Sequence, residues 1–238
     1  MLTRTLLLDL GTAVDLDALR RHMVTAAEEL GFGLIAAVLV RGAMESRNAW
    51  MKTLDNTPAA YLNAHRSLDD ALRDPLMHAL QRSTAPLTYD QSTYVDGGAA
   101  DLWDLQAQFG YRCGVACSVH EPSHLEQFML GVDRPDALPT DAVRLMRLRA
   151  GVQMLTLHAQ AAMVRLLAPT AEASQAELDA DELAALRWTA DGRTTWQISQ
   201  RMSLTEERVR ALRVSAAVKC GDPSVPAVVL RCIQGGRA

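Results

Sequence analysis

His120-Glu-Pro-Ser-His124 spells the HExxH pattern, in which two histidines one helical turn apart hold zinc and the glutamate works on a bound water. Pro122 sits inside the motif, the segment reads as a loop between strands, and no third ligand follows at a recognised spacing, so neither a metal site nor a catalytic residue is assigned. Cys113 and Cys117 are four residues apart on one strand face, and Cys220 and Cys232 are distant; structural thiols are the better reading. Gly31-Phe-Gly33 does not continue as a dinucleotide loop and there is no P-loop, so no cofactor is expected. The chemistry that remains is cationic. Arg208, Arg210 and Arg213 follow Thr205 on one helical stretch, where they can face phosphates or base edges, although a solvated charged face would carry the same residues.

The elements that would position these groups follow from periodicity. Asp15 can cap a helix whose Leu16, Leu19, Met23, Ala26, Ala27 and Leu30 recur at helical spacing. LIAAVLV and the segment around residues 49–53 read as strands, residues 57–66, 74–82 and 99–109 as helices, and 113–119 and 126–132 as a strand pair. From Thr140, a potential cap, to Leu166 runs the longest helix, with Leu145, Leu148, Val152, Leu155, Ala159, Ala162 and Leu166 as its seam. That seam could pack on the protein's own sheet, contact a second copy, or do both on two faces. Residues 168–177 lack an apolar stripe and mark a linker between domains at 1–167 and 178–238. Four helices fit the remainder, at about 179–190, 194–201, 205–219 and 224–234, and Met202-Ser-Leu-Thr supplies a helix-turn-helix turn.

Composition limits the class. The chain has 238 residues, 49% of them hydrophobic and 22% charged, which excludes a mainly disordered protein. No apolar run approaches the ~18 residues of a membrane span, and the start is too short in apolar residues for a secretory core. Four cysteines do not make a disulfide scaffold in a chain this long, which points to a reduced, cytoplasmic protein with no membrane partner. The net charge of −4 is divided unevenly: residues 178–238 carry nine basic and seven acidic groups, against 15 and 21 in the rest. A small basic module on an acidic body suits a nucleic-acid reader, and chance gives such a difference about as often.

Residues 178–221 resemble the C-terminal DNA-binding domain of LuxR-type regulators. The resemblance is carried by Leu178, Glu182, Leu186-Arg187-Trp188, Ala190, Gly192-Arg193-Thr194, Ile198, Met202, Val209, Lys219 and Gly221. It implies a reader with Thr194, Thr205, Arg208, Arg210, Arg213 and Lys219 toward DNA. Leu186, Trp188, Ile198 and Val209 can build its core. The sequence departs from the pattern at Gln197 and Ser199, and at Leu212 and Ser215, where the family often has His and Asn on the reading helix.

Residues 15–166 resemble the acyl-homoserine-lactone-binding domain of the quorum-sensing branch. Asp74-Pro75, Pro86-Leu-Thr-Tyr-Asp90, Gly110-Tyr-Arg-Cys-Gly114 and Phe128-Met-Leu-Gly-Val132 occur in the family's order. The resemblance implies an α+β chain: an α-β-α sandwich around an antiparallel five-stranded sheet, joined to a C-terminal all-α four-helix domain. It also implies a ligand pocket. Asp74 would accept from a ligand N–H, Tyr61 and His65 stand where Trp and Tyr are usual, and Tyr89 replaces a second Trp. Tyr94 lies near the ligand ring, Trp103 near the acyl tail, and Gly131 where a Ser or Thr often contributes. These changes imply a ligand other than a standard acyl lactone, a weak one, or none, with retained binding as the alternative. The expected protein is a homodimeric transcription regulator, not an enzyme, with operator DNA, a small amphiphile and RNA polymerase as candidate partners. A ligand-independent orphan regulator and a decoy that forms inactive heterodimers are the rivals.

Overall fold

The computed structural model describes residues 2–41, 50–64, 68–120, 126–168 and 178–220. Two compact units divide the described residues: those within 2–39, 52–120 and 127–166 form the first, and the second takes in Val40, Arg41, Trp50, Met51 and Glu126 together with the chain from Leu167. The first opens with α1 (Arg4–Thr12), capped by the Thr3 side chain, and α2 (Leu16–Glu29), whose Ala18 N–H donates to Asp15 Oδ1 at 2.7 Å. Sequence periodicity gives α2 and misses α1, because Leu6, Leu7, Leu8 and Leu10 have no polar alternation to reveal a face.

The sheet comprises β1 (Leu34–Arg41), β2 (Trp50–Asp55), β3 (Leu87–Tyr89), β4 (Cys113–His120) and β5 (Glu126–Arg134), in the order β2-β1-β5-β4-β3. The β3–β4 and β4–β5 pairs are antiparallel. Between β2 and β3 come α3 (Ala59–Ala64), α4 (Leu68–Arg73) and α5 (Pro75–Leu80); between β3 and β4 come α6 (Gln91–Asp96) and α7 (Ala100–Gln106) with a 3-10 turn at Ala107–Phe109. On the other side of the sheet α8 (Ala142–Leu166) packs against β4, α1 and α2, burying Val152, Leu155, Ala159 and Ala162. Its cap is Asp141 rather than Thr140: Arg144 N–H donates to Asp141 Oδ1 at 2.8 Å. The first unit is thus α+β, with helices on both sheet faces.

The second unit contains α9 (Ala180–Ala190), α10 (Thr195–Met202) and α11 (Glu206–Lys219). Three side chains cap them. Asp179 and Thr194 form reciprocal capping boxes with Glu182 and Gln197, and Thr205 accepts from Arg208 N–H at 3.1 Å. Gly192 takes φ +74° after α9, and Ser203 ends α10 at φ 55°, so the chain reverses at both turns. Leu186, Ile198, Val209, Leu212, Ala216 and Ala217 are buried. Trp188 is only half-buried, with the Arg201 guanidinium 4.6 Å above its ring, so it roofs this core rather than filling it. The expected helix at 224–234 lies outside the described residues.

Candidate functional site

Tyr89, Gly114 and Asp133 lie in one row across three strands, since Tyr89 pairs with Gly114 in one ladder and Gly114 with Asp133 in the next. Alternation puts Gly131 on the same face as Asp133. The phenol end of Tyr89 lies over Gly114: a Cβ there would stand 2.5 Å from the phenol oxygen and would also meet the Val132 carbonyl. Glycine at 114 is therefore a condition for this tyrosine to cross the sheet. A Cβ at Gly131 would stand 3.5 Å from the same oxygen, so the Tyr89 hydroxyl reaches over the residue where a hydroxylated side chain was expected.

Asp133 is 4% exposed, and its Oδ1 has no hydrogen-bond partner among the described residues. Burial pushes its carboxyl up to about 7; the Tyr89 hydroxyl hydrogen-bonds it and opposes the rise, and the Asp74 charge adds to it. Burial likewise drives the Tyr89 phenol well above its ordinary range, with Asp133, Tyr94 and Asp74 adding to the effect. The Tyr89 hydroxyl is accordingly a permanent donor near neutrality.

Asp74 begins α5. Its Oδ1 accepts from Leu76 N–H at 2.8 Å and Met77 N–H at 3.4 Å, with Pro75 in the first turn. Burial raises its carboxyl above the usual range, opposed by those two N–H groups, by His78 and by a hydrogen bond from Tyr94. Tyr94 is fully buried on α6, and burial followed by the Asp74 charge shifts its phenol upward. Half-buried Tyr61 packs on Phe109 and Tyr111, with ring centroids 5.3 and 5.1 Å away. Tyr111, inside the Gly110–Gly114 motif, donates to Thr57 Oγ1 at 2.9 Å, and burial pushes its phenol up to about 12.

The structure thus brings Tyr89, Tyr94, Asp74 and Gly131 into one neighbourhood, with Tyr61 and Tyr111 beside it. Trp103 stands on α7, its indole N–H donating to Arg112 O at 3.1 Å, which leaves the ring's expected place near an acyl tail unaffected. His65 lies outside the described residues. Asp133 was missed, although strand alternation from Gly131 leads straight to it. His120 ends β4 rather than standing on a helix, with its Nε2 2.9 Å from Leu80 O and 3.0 Å from Gln127 Nε2; residues 121–125 lie outside the description.

In the second unit the expected DNA-facing residues separate into two groups. Arg208 and Arg210 are exposed, and Arg210 pairs with Glu206 at 3.2 Å. Arg213 is instead 8% exposed and donates to Thr195 Oγ1 at 2.7 Å, which ties α11 to α10. Lys219 sits 2.8 Å from Glu182, whose buried carboxylate also accepts from Ser215 Oγ at 2.7 Å and from Asp179 N–H. Glu182 is 1% exposed, and these partners hold it below the ordinary carboxylate range against the cost of burial. Leu212 belongs to the core, whereas Ser215 is exposed on α11 and its hydroxyl donates to Glu182. Thr194 and Thr205 act as caps.

Residues 15–163 match the family described as the autoinducer binding domain. The transcriptional activator SolR of Ralstonia nicotianae is 27% identical over 199 residues, 83% of this chain and 82% of SolR. SdiA in complex with octanoyl-rac-glycerol shares the fold over 97% of this chain and 92% of its own, with a TM-score of 0.62 at 20% identity. CepR2 of Burkholderia cenocepacia, an N-acylhomoserine lactone dependent LuxR family transcription factor, covers 70% of this chain and 97% of its own, with a TM-score of 0.59 at 24% identity.

Proposed function

The chain belongs to the LuxR-type quorum-sensing transcription regulators that carry an autoinducer-binding domain, and on that premise we propose that it is a ligand-gated, dimeric DNA-binding regulator. Its family acts in transcription control and not in catalysis. One observation carries the ligand reading: donors and acceptors from α3, α5, α6, β3 and β5 converge above one sheet face, which is how small-molecule sites are built. Sandwiched between that face and its helices, a small amphiphile would complete the core, stabilise the dimer and raise operator affinity by mass action.

Val143, Met146, Met154 and Leu157 are exposed along the α8 face opposite its buried seam. They form the apolar stripe that a second copy would cover. Arg208 and Arg210 are the groups best disposed for phosphate or base contact from α11, and a dimer would address two half-sites about one helical turn apart. Such a regulator works on DNA in the cytoplasm, with RNA polymerase as the partner of an activator. The decoy alternative keeps Ser215, exposed on α11, as its altered reading position, while Leu212 lies in the core.

A second reading has a specific observation behind it. Tyr89 lies across the sheet and Tyr61 stacks on Phe109 and Tyr111, which would suit a regulator that fills its own pocket and needs no ligand. Thermal melting of the full-length protein separates the two. SdiA is solved with octanoyl-rac-glycerol and CepR2 depends on acyl lactones, so monoacylglycerols and acyl lactones of several chain lengths are the probes. A ligand at about 100 times its Kd adds about 2.7 kcal/mol, which for a chain this size raises Tm by roughly 5–10 °C. An unchanged melt across the panel, with specific DNA binding by the protein alone, would establish the ligand-free reading instead.

A further inference from the structure

We infer that Asp133 is a ligand-reading residue, and that the molecule this site accepts carries a second hydrogen-bond donor, O–H or N–H, in its head group. The inference rests on the first unit being a ligand-binding domain and specifies the class of ligand. Asp74 is the acceptor that the family resemblance assigns to a ligand amide: its Oδ1 is held by two backbone N–H groups of α5, which leaves its second oxygen to take the amide N–H. Asp133 differs from it in having a buried oxygen, Oδ1, without any partner among the described residues. A carboxyl oxygen withdrawn from water and left unpaired is costly, and buried polar groups in folded proteins are satisfied in nearly all cases.

Three features aim this carboxyl at the ligand face. Gly114 and Gly131 beside it have no side chains, so nothing from β4 or β5 screens it at those positions. The Tyr89 hydroxyl lies above the same two glycines and marks the side of the sheet that Asp133 faces. Among the described residues no arginine or lysine is recorded as pairing with Asp133, so a donor has to come from elsewhere. An unsubstituted acyl-homoserine lactone has a single donor, its amide N–H, and its ring offers only acceptors. A head group with a hydroxyl or an ammonium supplies the missing donor. The altered tyrosine set around the site then accompanies a change of ligand rather than a loss of one.

The test uses matched amphiphiles on the full-length protein: N-acylethanolamines, their O-methyl ethers, N-acyl ethylenediamines and acyl-homoserine lactones, each at short, medium and long acyl length. The ethanolamide and its methyl ether differ only by the donor. The ethanolamide is expected to bind tighter by about tenfold or more, the factor that leaving one buried group unpaired implies, and to shift Tm accordingly. In Asp133→Ala that difference should vanish while the methyl ether's own shift persists. Asp133→Asn keeps an acceptor oxygen and the side-chain size: it should retain the hydroxyl preference if the donor is O–H, and lose a diamine preference if the donor is an ammonium.

Equal binding of ethanolamide and ether, or a preference that survives Asp133→Ala, would overturn the assignment. Stabilisation by lactones alone would also overturn it and leave the ligand-gated reading intact. Silence from every probe would sink both.

Discussion

Asp133→Asn is expected to flatten the alkaline side of the protein's stability curve. In the folded chain this carboxyl titrates at about 7, against an ordinary value of 3.8. Between those values the native state binds more protons than the unfolded state, so stability falls as pH rises. The contribution of this group is fully present below 3.8 and is lost by the time pH passes 7. From about pH 5 to about pH 8 the native group traverses roughly two units of that window, so the chain loses on the order of 2–3 kcal/mol. Asparagine does not titrate and cannot lose it. With roughly 2–4 °C per kcal/mol for a chain this size, the fall in Tm across that range should be smaller in Asp133→Asn by roughly 5–10 °C. Asp74, Tyr89 and Tyr94 are present in both proteins, so taking the difference between the two pH profiles largely cancels their own titrations. Melts of both proteins in a pH series are the assay. Parallel curves would falsify the claim that Asp133 is buried with one oxygen unpaired.

Gly114→Ala should destabilise the first unit by about 1–3 kcal/mol or more, because the new methyl meets both the Tyr89 ring and the Val132 carbonyl; chemical denaturation measures it, and Tyr89→Ala in the same chain should relieve part of the loss. Glu182→Gln should lower the stability of the second unit by about 1–3 kcal/mol, since Lys219 loses its nearer charge partner and keeps only Asp179 at 3.7 Å, and a melt of the full chain reports it. Arg208→Ala should leave Tm unchanged, weaken operator binding and lower the slope of log affinity against log salt by about 1. Arg213→Ala should instead reduce Tm by breaking the bond to Thr195, and an unaltered melt with lost DNA binding would show that Arg213 faces DNA after all.

What the sequence discloses depends on how far each element's signal extends. The helix α2 carries a helical burial period, and the strands β4 and β5 are near-continuous buried runs of eight and nine residues, so their limits are readable to within a residue or two. The six-residue helices α4 and α6 and the three-residue β3 are too short for any period. α6 is announced by its cap, the Asp90 carboxylate accepting from Ser92 N–H, and β3 exists because its partner β4 is there to pair with. The same distinction governs the sites. Identity and spacing single out Tyr89, Asp74 and Arg213, but spacing cannot say that one arginine of three turns inward, because residues 208, 210 and 213 lie at different angles around a helix whose core side only tertiary packing selects. Asp133 is the sharper case. Two positions beyond Gly131 on a strand is a pocket position by alternation alone, and a carboxylate there departs from the buried apolar run that leads up to it, Phe128, Met129, Leu130 and Val132. A local rule broken at a buried position points to function, because stability alone would have filled that place with an aliphatic side chain.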